Sequence, residues 1–262
     1  MNPVLFALLM PGLLMTTPAP ASSSPVPGFA RLPLEQRRAE IKTLTRERLV
    51  ELFATTPEDV LLEAGKAAAS QMGTYESRVV KRERVSGKMM KPQTLHVTIR
   101  QEPRAVRLEV LEGPAKGRKV VYDSTVKKNE LRVREAGLLG VTGPMWIDVN
   151  SKLTRSDTNH PIQDFAFTSI IEVLEDSFKK SKPLGGYTRK DEGFDTANRY
   201  CITFTAPPGG AHLYAARARI CMDPVLALPV IMEIDDAQGP LERFEFSNVK
   251  PLAQADFSPS SL

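Results

Sequence analysis

The sequence predicts a mainly β protein with some α-helix, built on a one-sided antiparallel sheet. Three observations carry this. Short stretches that alternate apolar and polar residues run from Tyr75 to Phe246, two helical segments precede them, and turn signals separate them. Period-two alternation requires one dry face and one wet face. Few helices are available to cover the dry face, so an oily wall under a thin lid is expected. Such an arrangement suits holding a ligand better than transforming one.

The first helix is expected over Glu35 to Phe53, with Ile41, Leu44, Leu49, Leu52 and Phe53 set among charges. Thr56-Pro57-Glu58-Asp59 then reads as a helix start: a cap, a proline at the first helical position, and acids. The second helix carries Val60, Leu61, Ala64, Ala67 and Ala68 and stops at Gly73; its small residues suit close packing on a sheet. Strands follow over Tyr75–Val85, Thr94–Glu102, Ala105–Glu112, Arg118–Ser124 and Glu130–Arg134. The glycines of Gly137 to Gly143 read as turn formers, because no Gly-Lys-Ser/Thr follows them. Met145 and Trp146 read as core. A third helix over Phe165–Phe178 is entered through Asn159-His160-Pro161-Ile162. Strands resume at Ala197–Phe204, Ala211–Met222, Pro229–Ile234 and Leu241–Val249, the last two joined by a turn at Asp235–Gly239.

The chain has 262 residues. An apolar run from Val4 to Met15 leads to Ala19-Pro20-Ala21, which fits the small-x-small cleavage rule. The run is interrupted by Pro11 and Gly12 and is too short for a spanning helix, which needs about 20 residues. It is read as an export signal over 1–21, cut after Ala21. A Ser/Pro-rich tether over 22–33 and one domain over 34–262 are expected. No later stretch is long and apolar enough to span, so a periplasmic protein that is not integral to a membrane is expected. The formal net charge is +4 with interleaved signs, which gives nucleic-acid binding no support. One local excess, Arg78, Lys81, Arg82, Arg84, Lys88 and Lys91, reads either as a solvated strand face or as a surface for anionic headgroups or an acidic partner. Glu83 and Arg84 read as two exposed strand residues facing opposite ways, or alternatively as a charged pair inside the sheet that latches the lid.

Cys201 and Cys221 are the two cysteines. An even pair in an exported chain suggests a disulfide, and a hairpin around Pro207-Pro208-Gly209-Gly210 would bring the thiols near one another. Two separately buried thiols are the alternative. The three histidines, His96, His160 and His212, are far apart and none has metal-ligand spacing. No nucleophile elbow, zinc-protease motif or dinucleotide fingerprint occurs. Neither catalysis, nor a metal, nor a cofactor is expected. His160 reads as a helix-entry or packing residue, or alternatively as a polar anchor at a cavity mouth.

The segment Cys221-Met222-Asp223-Pro224, then Leu228-Pro229, Leu241 to Phe246 and Asp256-Phe257, resembles the tail of LolA-like proteins. LolA and LolB are the periplasmic lipoprotein carrier and its outer-membrane receptor. Lys81-x-Glu83-Arg84-Val85-x-Gly87-Lys88, Glu102-Pro103, Lys116-Gly117-Arg118 with Tyr122, and His160-Pro161-Ile162 are most similar to the bacterial domain-of-unknown-function family 1571. That family commonly has Arg before the His-Pro pair, where this chain has Asn159. The resemblance implies a curved antiparallel half-barrel whose concave side is plugged by helices around a cavity for an acyl chain. It also allows a non-catalytic envelope sensor that binds a protein partner. The candidate lining is Val97, Ile99, Leu108, Val110 and Leu131, joined by Tyr122 and His160. Whether the helices fill this space or leave a slot stays open at this stage.

Overall fold

The computed structural model describes residues 32–137 and 143–253. The expected export signal, nearly all of the tether, Asp256-Phe257 and most of the Gly137–Gly143 stretch lie outside the described residues. Helices α1 (Leu34–Thr43), α2 (Arg46–Thr55) and α3 (Glu58–Met72) come first. Strands follow: β1 (Thr74–Val85), β2 (Lys88–Met89), β3 (Gln93–Arg100), β4 (Ala105–Glu112), β5 (Lys119–Asp123), β6 (Glu130–Arg134) and β7 (Met145–Asp148). A short 3-10 turn (Ile162–Phe165) leads into α4 (Phe167–Ser181). The chain then adds β8 (Thr188–Phe194), β9 (Tyr200–Thr205), β10 (Arg217–Asp223), β11 (Leu228–Asp236) and β12 (Gly239–Leu252).

These strands form one sheet in the order β7-β6-β5-β4-β3-β1-β12-β11-β10-β9-β8, with β2 attached to β1. Every pairing is antiparallel. The long central strands β1 and β12 join the early and late halves of the chain. Lys81 of β1 and Ile147 of β7 face the same cleft although they lie five strand positions apart. On a flat sheet five spacings would separate them by about 24 Å, so the sheet curls around the space between them. The open antiparallel half-barrel with helices on its concave side is therefore the architecture present.

Cover on the concave side is uneven. Helix α3 buries Leu61, Ala64, Gly65, Ala68, Ala69 and Met72, and α4 buries Phe167, Ile171 and Leu174 at helical spacing. The two helices touch closely at Gly65, where an added Cβ would stand 3.2 Å from Ile171 Cδ1. Together they cover the β9–β11 half of the sheet, against Ile202, Ile220 and Met222. The start of α4 covers β1 and β3: the Phe167 amide donates to the Tyr75 hydroxyl at 3.0 Å, and the two rings stack. Over β4 to β7 no α-helix lies among the described residues; the 3-10 turn Ile162–Phe165 meets β4, and the irregular segment between β7 and that turn covers the rest.

Several expectations need correction. The predicted helix Glu35–Phe53 is two helices, broken where Leu44 and Thr45 turn extended and the Thr45 hydroxyl accepts the Arg48 amide. Thr45 spends its side chain on capping, which ends one helix and starts the next. Thr56 does not cap α3. Its hydroxyl donates back to the Leu52 carbonyl, closing α2, and α3 begins after Pro57. Strand β8 was not anticipated, because an edge strand reading Thr-Arg-Lys-Asp-Glu-Gly-Phe carries almost no apolar alternation. Met145 and Trp146 are not core. They lie exposed on β7, a four-residue strand that pairs only with β6.

Cys201 and Cys221 are direct cross-strand partners on β9 and β10 and are bonded to each other. The bond closes a loop with a sequence separation of 20. In the chain-entropy picture such a loop contributes about 3 kcal/mol. Replacing both cysteines by alanine should lower the urea-unfolding free energy by about that amount, and reductant should lower the wild type to the level of the double variant; no loss on reduction would show that the bond does not restrain the unfolded chain.

Candidate functional site

Along β1 the inward-facing residues are Tyr75, Ser77, Val79, Lys81 and Glu83, as their pairing with Ile99, Val97, Leu95 and Gln93 of β3 shows. On β12 they are Phe246, Phe244 and Glu242. The concave face is thus apolar for most of its height and turns charged at one end. Glu83 and Glu242 are register partners there, and both are buried. Two carboxylates side by side on an oily face require partners, because an unpaired buried charge is very costly.

Residues 157–160 supply those partners. Lys81 Nζ donates to Glu83 Oε1 at 2.8 Å and to the Asp157 carbonyl at 2.9 Å. The Thr158 hydroxyl and the Asn159 amide donate to the Glu83 carboxylate at 2.9 and 2.7 Å. Asn159 Nδ2 reaches the Arg84 carbonyl, and Arg118 binds both Asp157 and Glu135. His160 Nε2 bonds Glu242 Oε2 at 2.7 Å, its Nδ1 faces Asp164 at 3.9 Å, and Tyr214 donates to the other oxygen of Glu242. The segment is a strap tied down on buried charge, and Phe165 and His160 pack their rings edge-on against Phe244 just beyond it.

Burial alone would push the His160 imidazole toward its neutral form. The carboxylates of Asp164, Glu242 and Glu83 outweigh that and raise its pKa to about 10. Burial, with Glu242 beside it, raises the Tyr214 pKa and keeps that hydroxyl protonated. An imidazolium held to that pH cannot accept a proton near neutrality, so His160 acts here as a fixed cation and not as a base. Glu83, His160 and Glu242 also offer ligand atoms within 4.8 Å of one another. Lys81 and His160 are hydrogen-bonded to these two carboxylates.

The strap divides the hollow into two clefts that share His160 and Phe165. The first, a solvent-open cleft of about 80 Å³, lies under β3 to β7; its wall includes Leu95, Leu108, Val110, Leu131 and Ile147. The second, about 50 Å³, lies between α4 and β11–β12, with Ile170, Leu174, Met232 and Phe246 on its walls. Both are smaller than a typical small-molecule site. Leu108, Val110, Leu131 and His160 therefore stand on cleft walls. Val97, Ile99 and Tyr122 line neither cleft: they are buried in the core, with Tyr122 donating to the Lys128 carbonyl. Val97 and Ile99 pair with Ser77 and Tyr75 beside the start of α4, which explains their burial.

The basic segment is largely committed to internal contacts. Lys81 is buried against Glu83, Arg84 holds the β11–β12 turn through Asp236, Gln238 and the Pro240 carbonyl, and Arg78 pairs with Glu112. Arg82 is exposed opposite Arg243. Glu83 is not exposed, contrary to expectation; its side chain has no accessible surface. The signal was present, since Lys81 and Glu83 continue the parity of Tyr75, Ser77 and Val79. Glu242 likewise continues the parity of Phe244 and Phe246, whereas Asp157, Thr158, Asp164 and Tyr214 carried no such signal, because only the tertiary fold brings them to the site.

Glu83→Ala should cost about 3–5 kcal/mol in urea unfolding near pH 7, because it leaves Lys81 buried and unpaired. The double variant K81M/E83Q should cost less than Glu83→Ala alone; a loss below about 1 kcal/mol for Glu83→Ala would show that the strap is not tied there. His160 has a folded pKa above its unfolded value of 6.5. Its contribution is complete below pH 6.5 and is lost as pH rises toward 10, by at most about 1.4 kcal/mol per pH unit. Stability measured across that window should fall in the wild type and fall less steeply in His160→Gln; parallel curves would remove His160 as the source.

The structure is similar, at low identity, to several solved proteins. The lipoprotein LppX of Mycobacterium tuberculosis shares 15% identity and a TM-score of 0.42, covering 76% of this chain and all of that one. A LolA superfamily protein of Nitrosomonas europaea shares 13% identity with a TM-score of 0.37, over 76% and 95% of the two chains. MucB, in the MucA/MucB complex of Pseudomonas aeruginosa, shares 15% identity with a TM-score of 0.38, over 74% of this chain and 58% of that one. No curated protein matches the chain. The family described as "Protein of unknown function (DUF1571)" matches residues 72–261, and across that span, most of its length, the chain belongs to this family.

Proposed function

We propose that the protein is a non-catalytic periplasmic carrier or binding protein for a lipid, an acyl chain or a lipidated protein. The observation that carries this reading is the first cleft: a solvent-open, apolar-walled trough between the curled sheet and the strap, of about 80 Å³ as it stands, which an acyl chain would have to widen. Aliphatic side chains from five neighbouring strands form its wall, and its polar groups (Lys81, Arg118, Glu135, Asp157) gather where the strap crosses. Burying a long acyl chain there would gain about 0.8 kcal/mol per methylene, or roughly 10 kcal/mol before ordering costs. The alternative, an envelope sensor docking a protein through Arg78, Lys81, Arg82 and Arg84, loses support because Lys81 and Arg84 are engaged inside the fold, leaving Arg78, in a surface pair with Glu112, and Arg82 exposed.

Native mass spectrometry with fatty acids of increasing length, octanoate to stearate, tests the reading. Affinity should rise about fourfold per added methylene until the cleft is filled, and Leu131→Glu should abolish the trend. Protein that stays ligand-free with every chain would defeat the proposal.

A further inference from the structure

Four large hydrophobic side chains are exposed among the described residues: Val126 (60%), Leu153 (59%), Met145 (44%) and Trp146 (43%). All four belong to one corner of the fold. Val126 lies in the β5–β6 loop, Met145 and Trp146 on the edge strand β7, and Leu153 on the segment that follows it. That segment runs back along β7. Val149 bonds Asn129 at one end of it, and Asp157 reaches Arg118, next to the Lys119–Arg134 pair, at the other. Leu153 also stands at the wall of the first cleft, as does Ile147. Trp146 pairs with Arg132 and faces the other side of the sheet from Ile147, so this edge carries exposed apolar side chains on both faces, with the cleft rim on one of them.

The same corner is basic. Within its described residues lie Lys127, Lys128, Arg132, Arg134, Lys152 and Arg155, against Glu130, Glu135 and Asp148. Lys127 Nζ sits 4.5 Å from the Trp146 ring centroid, and the Arg132 guanidinium stands 6.0 Å from it. Arg132 Nε and Arg155 Nη1 are two of the four buried side-chain polar atoms without a hydrogen-bond partner among the described residues. A tryptophan flanked by cations beside protruding aliphatic side chains matches the chemistry of a bilayer interface, where rings sit at headgroup level and cations meet phosphate. Clustered exposed apolar side chains on a folded protein mark an interaction surface.

We infer that this corner, centred on Trp146 and Leu153, docks on an anionic lipid bilayer with the first cleft opening toward it. This extends the acyl-binding reading by naming the surface at which a chain would enter or leave. It also places the headgroup contact elsewhere than the 78–91 segment.

Trp146 is the only tryptophan of the chain, so its emission reports this corner directly. The full chain is titrated with phosphatidylcholine vesicles with and without phosphatidylglycerol, all samples sharing the same N-terminal residues. A blue shift on anionic vesicles, quenched by brominated acyl chains, is expected. K127E/R132E and, separately, Leu153→Ser should each weaken the response about tenfold or more, whereas R82E/R243E should not. Unshifted Trp146 emission at saturating anionic lipid, or equal responses from all variants, would overturn the proposal. The fatty-acid series is read in parallel. Vesicle docking without chain uptake would sink the acyl-binding reading and leave this one standing, and uptake without docking would do the reverse.

Discussion

The fold turns on a carboxylate that faces the wrong way for an oily wall. Glu83 continues the inward parity of β1 and is fully buried, next to a second inward carboxylate, Glu242, on β12. Neither can stay on the concave face unless cations and donors come to it. Lys81 comes from the same strand; everything else comes from residues 157–160 and from Tyr214. The strap is held because the sheet carries charge where it would otherwise carry leucine. Pairs of this kind add little net stability, yet removing one partner is expensive. Their effect is to fix where the segment crosses, and so to fix where the hollow is divided.

That crossing decides the shape of the space left over. Helices α3 and α4 are close-packed over β9–β11, with Gly65 letting Ile171 approach, and they leave narrower clefts there. The other half, β4 to β7, receives only the strap and the segment leading into it. An irregular segment must spend its polar groups locally: Thr154 bonds the Val149 carbonyl and Thr158 bonds Glu83. It has few large apolar side chains left to plug a trough. The aliphatic wall of Leu108, Val110 and Leu131 therefore stays lined but not filled.

The strands and their inward faces were legible from alternation, and so was the pairing of Cys201 with Cys221, since a hairpin brings opposite residues together. Alternation tells which face a residue occupies but not what lies over it. Val97 and Leu108 have the same pattern, yet α4 begins above the first and the trough lies under the second. Parity put Lys81 and Glu83 inside, while their charge argued for solvent, and parity won because the strap supplied partners. Tyr214 stayed silent for a different reason. It meets His160 from 54 residues away, and no local spacing encodes that contact.

The position of the opening follows from the same asymmetry. An edge strand normally hides its free hydrogen-bonding side or carries charge against association. Strand β8 follows that rule: it is polar, and Arg189 ties it to the carbonyl groups that end α2. Strand β7 does the opposite, presenting Met145 and Trp146 exposed, with only the Lys127 and Arg132 side chains set against the Trp146 ring among the described residues. The trough, the exposed side chains and the surrounding cations all lie at this edge, where among the described residues no α-helix covers β4 to β7.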